Sequence, residues 1–211
     1  MSEILKTFNK NQEQTGTAPR VEVHRKGLWH ETFHCWFVTR KDEGNFLCFQ
    51  LRSSVKQDYP SLLDITAAGH LLADESPEDG VREVEEETGI KVAMKELVSL
   101  GTIALEDPGG RDGFTDNEFA HTYLCIADHL EWECFSPQPD EVAGFYRASI
   151  QQLLPFFKGD ISSLRMEGFR LCKNGLQVNE IIEVKKTAFV PHGNSYFMDI
   201  LQRIEQAVLR F

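Results

Sequence analysis

Three glutamates stand where a helix would bring their carboxylates together. Residues 77–88 are predicted to be helical with a repeat of ~3.6 residues, so Glu83, Glu86 and Glu87 fall at i, i+3 and i+4 on one face. Like charges at this spacing destabilise an isolated helix, unless cations lie among them. Hard divalent ions such as Mg²⁺ bind carboxylate oxygens and leave other positions for water and substrate phosphates. The spacing therefore predicts a metal site; the alternative is a solvated acidic face.

Other residues of this helix are suited to packing against a sheet. Val81, Val84 and Thr88 fall together on another face. Ser76 is a candidate N-cap, and Gly89 is expected to end the helix. The helix is thus predicted to bury one face and to present its carboxylates on another. Arg82 could pair with Glu86 four residues on, or support the geometry of the cluster.

The flanking residues make the pattern specific. The segment resembles the motif of the Nudix hydrolases, which reads G, five residues, E, seven residues, R-E-apolar-x-E-E-x-G-apolar. The matching positions, in order, are Gly69, Glu75, Arg82, Glu83, Val84, Glu86, Glu87, Gly89 and Ile90. In one departure, only six residues separate Glu75 from Arg82. The helix face survives this shortening, but the position of Glu75 is left open.

The resemblance implies a fold, a cofactor and a reaction. The implied fold is α/β, a Nudix-like α/β/α sandwich with a mixed β-sheet. The implied catalytic residues are Arg82, Glu83, Glu86 and Glu87. The three glutamates would hold Mg²⁺ or Mn²⁺, and the carbonyl of Ala68 would add a ligand.

The implied reaction is metal-dependent hydrolysis of a diphosphate linkage in a nucleoside diphosphate-type or related small metabolite. Metal ions shield charge on the phosphoryl oxygens and lower the pKa of a bound water. A carboxylate can take that water's proton. Glu83 is the candidate within the motif, and Glu118 and Glu141 are weaker candidates outside it.

From Glu22 to Ile150 the chain also looks like the superfamily branch close to isopentenyl diphosphate isomerase. The similar runs are EVHRKGLWHETFHCWFV, QLRS, DITAAGH and DNEF. In the isomerases a histidine and glutamate cluster binds a metal, and imidazole suits Mn, Fe and Zn better than Mg. A second, softer metal site is therefore expected at the comparable positions, which are His24, His30, His70, Asp116 and Glu118. The alternative is that these histidines are solvated or simply fix loops, and His34 and His121 are interpreted as structural.

One residue separates hydrolysis from isomerisation. The isomerases carry a catalytic cysteine immediately before a Gly-His pair, where this chain has Ala68. A methyl group cannot exchange the protons that move a double bond, so hydrolysis is the favoured function. Two alternatives are an isomerase-like reaction that uses another acid and a non-catalytic nucleotide or sugar sensor. The substrate is not named by the sequence, and Trp29, Phe114 and Phe135 are candidates for base recognition.

The elements that must position these residues are short strands and a few helices. A hairpin is predicted around KDEG, after TFHCWFVTR and before NFLCFQLR. Further strands are predicted at LLDITAAG, LVSLGTIAL, FAHTYLCIA and AGFYRAS, followed by a helix that Pro155 should interrupt. Apolar residues at helical spacing in the tail from 194 to 211 predict a helix packed on the sheet. The predicted organisation is a polar N-terminal segment at residues 1–20 and a single domain at 21–211 that includes the C-terminal helix. Within the first segment, KNQEQTGTAPR (residues 10–20) is interpreted as a loop or frayed start.

Composition limits the partners. The chain has 211 residues, 41% of them apolar, and a net charge of -11. An acidic chain is unsuited to a nucleic acid polymer, whereas metal ions let it bind an anionic small molecule such as a diphosphate. No signal peptide or membrane span is evident. Because five cysteines form no C-x-x-C pair, a reducing cytoplasm is the expected compartment; the oligomeric state is left open.

Overall fold

The computed structural model describes residues 3–106, 113–172 and 175–210. Within these residues the elements in chain order are β1 (Ile4–Phe8), β2 (Gln14–Pro19), α1 (Arg20–Lys26), β3 (His30–Lys41), β4 (Gly44–Arg52), β5 (Leu63–Ile65), β6 (Ala67–His70), α2 (Arg82–Thr88), β7 (Val98–Leu105), β8 (Glu118–Ile126), β9 (Val142–Ser149), α3 (Ile150–Lys158), β10 (Leu164–Leu171), β11 (Gln177–Val184) and α4 (Asn194–Val208).

One mixed sheet organises the molecule. Its main path is β11-β10-β9-β4-β3-β8-β7, with β5 paired to β4 and β6 paired to β3. β3 and β8 run parallel, and all the other neighbouring pairs along this path are antiparallel. Both faces of the sheet are covered, as the alternation along β3 requires. Trp36 and Val38 pack with residues of α3 and α4, while Cys35 and Phe37 pack on the face that buries Val84 of α2. The predicted α/β/α sandwich with a mixed sheet is confirmed.

The sheet forks where β3 and β4 separate. These strands pair directly only from Val38↔Leu47 to Lys41↔Gly44. Beyond that point β6 pairs with β3 and β5 pairs with β4, so the single run 63–70 occupies the gap. Thr66 joins the two sides, because its hydroxyl donates to the Cys48 carbonyl and accepts from the Phe37 N–H. The run LLDITAAG, predicted as one strand, therefore forms two short strands inside the fork.

The glutamate helix is shorter than expected. A 3₁₀ turn covers Asp79–Val81, and the α-helix begins at Arg82. Gly89 ends the helix in the left-handed conformation, with φ of 75°, as predicted. Ser76 makes no side-chain cap; its hydroxyl instead donates to Asp79. The turn packs closely on the sheet, since a Cβ on Gly80 would lie 2.6 Å from the Phe33 Cβ.

Two predictions about secondary structure were wrong. Residues 10–20 are not a loop or frayed start, because they contain β2, which forms an antiparallel hairpin with β1. Leu5 is fully buried in a small cluster with Ala18 and Val23, and such apolar packing holds an otherwise polar hairpin in place. Pro155 does not interrupt α3 but lies inside it. Buried Leu153 and neighbouring aromatic side chains anchor this helix on the sheet, and that packing offsets the hydrogen bond which proline cannot donate.

The remaining elements either lie where the sequence predicted them or were not predicted. The KDEG hairpin, β7, β8, β9 and α4 lie where they were predicted. β10 and β11 were not predicted; β11 is an edge strand with two exposed apolar residues, Val178 and Ile181. Cys35, Cys48 and Cys125 are buried free thiols, as expected. Among the helices in the described part of the chain, none has the length and apolar character needed to cross a bilayer.

Candidate functional site

α2 brings its glutamates to one cavity at different depths. Glu83, Glu86 and Glu87 all line this cavity, whose volume is about 1170 Å³. Glu87 is 5% exposed, and the side chain of Glu83 is 12% exposed. The Glu86 side chain, 51% exposed, lies at the rim. Their burial contradicts a solvated acidic face for Glu83 and Glu87, whereas Glu86 lies at the rim and is open to solvent.

Glu87 is held by two donors from the fork of the sheet. Its Oε2 accepts hydrogen bonds from Gln50 Nε2 and from the Ala68 N–H, both at 2.8 Å. Burial, followed by the charge of Glu83, raises the pKa of Glu87 to about 8. Burial also raises the pKa of Glu83 to about 7, despite the nearby Arg82. Two carboxyl groups thus share a volume where ionising both is unfavourable without a cation.

Arg82 ties the loop before α2 to the helix. It donates to both oxygens of Glu75, at 2.6 and 3.0 Å, and to the His70 carbonyl at 3.1 Å. It also pairs with Glu83, while Glu86 lies farther away at 3.5 Å. The bond to Arg82 lowers the pKa of Glu75 despite its partial burial. The shortened spacing therefore keeps Glu75 within reach of Arg82, which settles the position that the sequence left open.

The carboxylate of Glu83 packs against Gly69 of β6. A Cβ at position 69 would lie 2.0 Å from the Glu83 carboxyl carbon. No real side chain can occupy that space, so Glu83 would have to move. The motif glycine is explained here by close packing of a carboxylate on the backbone. The Ala68 N–H contacts Glu87, whereas metal ligation by the Ala68 carbonyl stays a prediction.

Four of the five residues predicted as a second metal site come together. One ligand atom from each of His24, His30, His70 and Asp116 lies within 4.8 Å of all the others. Asp116 Oδ1 is 3.4 Å from His24 Nε2 and 3.5 Å from His30 Nε2. His24 and His30 are 4% and 0% exposed, which contradicts the alternative of solvated loop residues.

The chemistry of these four residues fits a cation. Burial lowers the pKa of His30 and of His70, and neutral imidazole is the form that binds metals. His30 Nε2 is buried and makes no hydrogen bond within the described residues. Contacts with His24 and His30 lower the pKa of Asp116 although burial opposes this. The set therefore offers an anionic oxygen and three imidazoles to one point.

Glu118 lies in the same cavity but outside that group of four. Its Oε2 is 3.6 Å from His34 Nε2, and burial together with Asp116 raises the pKa of Glu118. His34, interpreted from sequence as structural, also lines the cavity. Its Nδ1 contacts the Tyr196 hydroxyl at 3.0 Å, and burial lowers the pKa of His34 to about 3. His121 is structural as predicted, paired with Glu31 at 2.9 Å.

Of the three aromatic candidates for base recognition, one lies at the cavity and two are packed in the interior. Phe114 lines the cavity and stacks on His24 with a centroid distance of 4.4 Å. Trp29 stacks on Phe119, and Phe135 packs in the core beside Phe145. Both are at least 92% buried, because they are 8% and 5% exposed. The suggestion that Trp29 and Phe135 contact a base is therefore wrong.

Further cavity residues include one weaker candidate from the sequence and three residues that the sequence analysis did not single out. Glu141, one of the weaker proton-acceptor candidates, lines the mouth and pairs with Lys56. Arg52, Asp64 and His192 line the cavity as well. Arg52 lies in the QLRS run, which offered a signal. His192 belongs to the last sixty residues, where no motif marked it.

Comparison with known proteins agrees with this geometry. The model of the NUDIX domain matches residues 28–165. The chain is 37% identical to an uncharacterised Nudix hydrolase of Clostridium acetobutylicum over 96% of its own length and 97% of the relative. It is 37% identical to Nudix hydrolase 3 of Arabidopsis thaliana over 67% of its length, although it spans only 18% of that protein. An isopentenyl-diphosphate Delta-isomerase of Streptomyces griseus is 27% identical over 66% of the chain and 67% of the isomerase.

Solved structures support the fold. A protein from Deinococcus radiodurans matches with a TM-score of 0.55 at 20% identity, over 74% of this chain and 90% of that one. A MutT/nudix family protein from Enterococcus faecalis matches with a TM-score of 0.54 at 12% identity, over 83% and 62%. Proteins of the Nudix family generally need divalent metal ions. The match of the domain model and the full-length relative, together with the glutamate helix in its cavity, show that this chain belongs to the Nudix family as a Nudix hydrolase.

Proposed function

We propose that this protein hydrolyses a diphosphate linkage in a small metabolite of nucleoside diphosphate type, with Mg²⁺ or Mn²⁺ held by Glu83, Glu86 and Glu87. The observation that carries the proposal is the burial of Glu83 and Glu87 side by side, in a cavity large enough for such a metabolite. Their raised pKa values mark two carboxyl groups that lack a sufficient counter-charge. Hard divalent cations are the partners that such oxygens prefer.

The residues of the cavity have different roles in the proposed reaction. Glu83 and Glu87 offer buried oxygens and Glu86 an exposed one, so water retains access to the site. Arg82 fixes the loop through Glu75 and the His70 carbonyl. When bound, the cation supplies charge screening at the phosphoryl oxygens and lowers the pKa of water. Attack of water breaks a bridging P–O bond and releases one proton. We assign the role of proton acceptor to Glu83, Glu118 or Glu141, and their position in the cavity lining supports this assignment.

The test is a panel of diphosphate compounds incubated with Mg²⁺ or Mn²⁺. Released phosphate and the identified products report turnover, and nucleoside diphosphate derivatives are expected to be among the substrates. Turnover should stop when a chelator removes the cation. Full activity in excess chelator, after tightly bound metal has been removed, would refute the metal-dependent reaction.

An isomerase-like reaction is the second candidate, because His24, His30, His70 and Asp116 converge on one point. We propose that this cluster holds a softer cation such as Mn²⁺, Fe²⁺ or Zn²⁺. Position 68, next to the cluster and to Glu87, is alanine and offers no exchangeable proton. Isopentenyl diphosphate should therefore be left unisomerised. Formation of dimethylallyl diphosphate at a rate typical of a dedicated enzyme would make isomerisation, rather than hydrolysis, the favoured function.

A further inference from the structure

An aspartate and a histidine from distant parts of the chain form a close pair at the cavity. His192 Nε2 lies 2.7 Å from Asp64 Oδ1. The other oxygen of Asp64 accepts a hydrogen bond from Arg52 Nη1 at 2.9 Å. Asp64 is 5% exposed, whereas 16% of the His192 side chain is open. The pair therefore has a buried end at Asp64 and a more open end at His192.

The segment that carries His192 is fixed by backbone contacts. Val190 N–H donates to the Leu63 carbonyl at 2.9 Å, beside a parallel bridge between Leu63 and Phe189. The His192 N–H donates to the Val190 carbonyl at 2.9 Å. The stretch before α4 is thus attached to β5, the strand that contains Asp64. This attachment gives the C-terminal part of the chain a place in the cavity.

Asp64 sets the orientation of the imidazole. Burial raises the pKa of Asp64, but His192 and Arg52 together lower it by more, so the carboxylate is ionised. An anion at Nε2 fixes both the ring orientation and the nitrogen that carries the proton. Nδ1 of His192 makes no hydrogen bond to any residue that the structure describes. The ring packs beside His34 of β3 and Tyr196 of α4, so two other elements confine it.

The charges that line the cavity give a reason for a hydrogen-bond donor at the position of His192. Among the described residues, five Lys and Arg side chains line the cavity, and four of them are already paired with a carboxylate: Arg20, Arg52, Lys56 and Arg82. Arg25 is the remaining one, and it has no ion pair with any described residue. A diphosphate brings several negative oxygens, and only some of these can contact a cation held by α2. A histidine that is anchored at one nitrogen can donate from the other to a phosphoryl oxygen.

We propose that His192 contacts the substrate by donating from Nδ1 to a non-bridging phosphoryl oxygen, and that Asp64 is its positioning residue. This assignment rests on the proposed function, because it takes the ligand to be a diphosphate. The imidazole carries a proton on both nitrogens in the bound state. The negative charge of the ligand and that of Asp64 stabilise this form from opposite sides of the ring.

The probe is methylenediphosphonate, a diphosphate analogue whose bridge resists hydrolysis, bound in the presence of Mg²⁺ and measured by calorimetry. His192→Gln should weaken its binding about tenfold or more, the usual size of a hydrogen bond to a charged group. The matched control is His121→Gln. His121 also pairs with a carboxylate, Glu31, and its side chain is 15% exposed, but it does not line the cavity. His121→Gln should leave binding unchanged.

Asp64→Asn tests positioning, because asparagine keeps the size but gives up the charge. If Asp64 acts through His192, the double variant binds the probe no more weakly than His192→Gln alone. In the wild type, the ¹⁵N resonance of His192 Nδ1 should move to the doubly protonated position when the probe binds. This signal needs no variant, so it decides the question even where Asp64→Asn fails to fold.

The outcomes separate this inference from the proposed function. Unchanged probe affinity and unchanged KM in His192→Gln, with turnover that still depends on Glu87, overturn the contact and leave the hydrolase. Loss of probe binding in His192→Gln, with no diphosphate in the panel hydrolysed, overturns the hydrolase and leaves the contact. Failure of the wild type to bind the probe overturns the contact as well.

Discussion

The carboxylate of Glu83 packs directly on the Cα of Gly69, so closely that a Cβ on Gly69 would lie 2.0 Å from the carboxyl carbon. Two motif positions that are fourteen residues apart in the sequence thereby share one contact. The contact fixes the distance between α2 and β6, and with it the depth of Glu83 in the cavity.

Gly69→Ala should therefore displace Glu83 and lower both Mg²⁺ affinity and turnover, by roughly tenfold or more, since a misplaced ligand weakens electrostatic contacts. The affected site is local, so the secondary structure seen by circular dichroism should not change. The control is Gly16→Ala in β2, where a Cβ would meet its nearest neighbour at 3.7 Å. Equal metal affinity in Gly69→Ala and the wild type would show that Glu83 does not need this packing.

Glu87→Gln should keep the fold and reduce turnover by roughly a hundredfold, or ~3 kcal/mol at the transition state. Glutamine is close in size, and its carbonyl oxygen can still accept the bonds from Gln50 and Ala68. It removes a negative charge and leaves a weaker metal ligand. The measurement is kcat with saturating Mg²⁺ on the best substrate of the panel.

Glu85→Gln is the matched control for that change. Glu85 lies on the same helix, but its side chain is 53% exposed and pairs with Lys91 outside the cavity. Turnover of Glu85→Gln should equal that of the wild type. Wild-type turnover in a correctly folded Glu87→Gln protein would contradict the metal-ligand role.

The metal-free protein should become less stable as the pH rises through the neutral range. Folding raises the pKa of Glu87 from 4.5 to about 8 and that of Glu83 from 4.5 to about 7. Between these limits the folded state binds more protons than the unfolded state, so the free energy of unfolding falls with increasing pH. Glu87→Gln should remove most of this dependence, because glutamine does not titrate.

Melting temperatures of both proteins in chelator, from about pH 5 to about pH 9, test this expectation. The difference between Glu87→Gln and the wild type cancels titrating groups that do not interact with Glu87, such as His34, whose pKa is lowered by burial. This difference should grow in favour of the variant as the pH rises. A constant difference would mean that Glu87 ionises as it does in the unfolded chain.

Arg82→Lys should lower both stability and turnover although it keeps the charge. A lysine cannot reach both oxygens of Glu75 and the His70 carbonyl at once, which the guanidinium does. The expected loss of stability is about 1–3 kcal/mol, the usual size for charged hydrogen bonds in a partly buried site. Thermal unfolding and kcat report the two effects.

Arg203→Lys on α4 separates stability from activity. Arg203 also donates to a carbonyl, that of Leu100, and pairs with Asp199, but it lies outside the cavity. This variant should lose stability and keep its turnover. If Arg82→Lys and Arg203→Lys changed turnover equally, Arg82 would have no specific role in the reaction.

The sequence by itself determined the glutamate helix and its polarity. A period of 3.6 residues is a local property, so Val84 and Glu86, two positions apart, could be assigned to different faces without any tertiary information. The motif around them also indicated the sandwich fold and the glutamate cluster, whereas the second expected metal cluster followed from the resemblance to the isomerases. The hairpin at KDEG followed from local turn chemistry.

Only the tertiary structure decided how deep each group lies and which distant partner it meets. Burial separates Glu87 from the exposed Glu86, although both lie on the same predicted face. The fork between β3 and β4 brings Gln50 to Glu87, and the attachment of the C-terminal segment to β5 brings His192 to Asp64. The second of these pairs joins positions 128 residues apart, and no local pattern of one sequence encodes such a pairing. Desolvation and Coulomb interactions then set the pKa of each group, and both depend on the packed surroundings rather than on the order of residues.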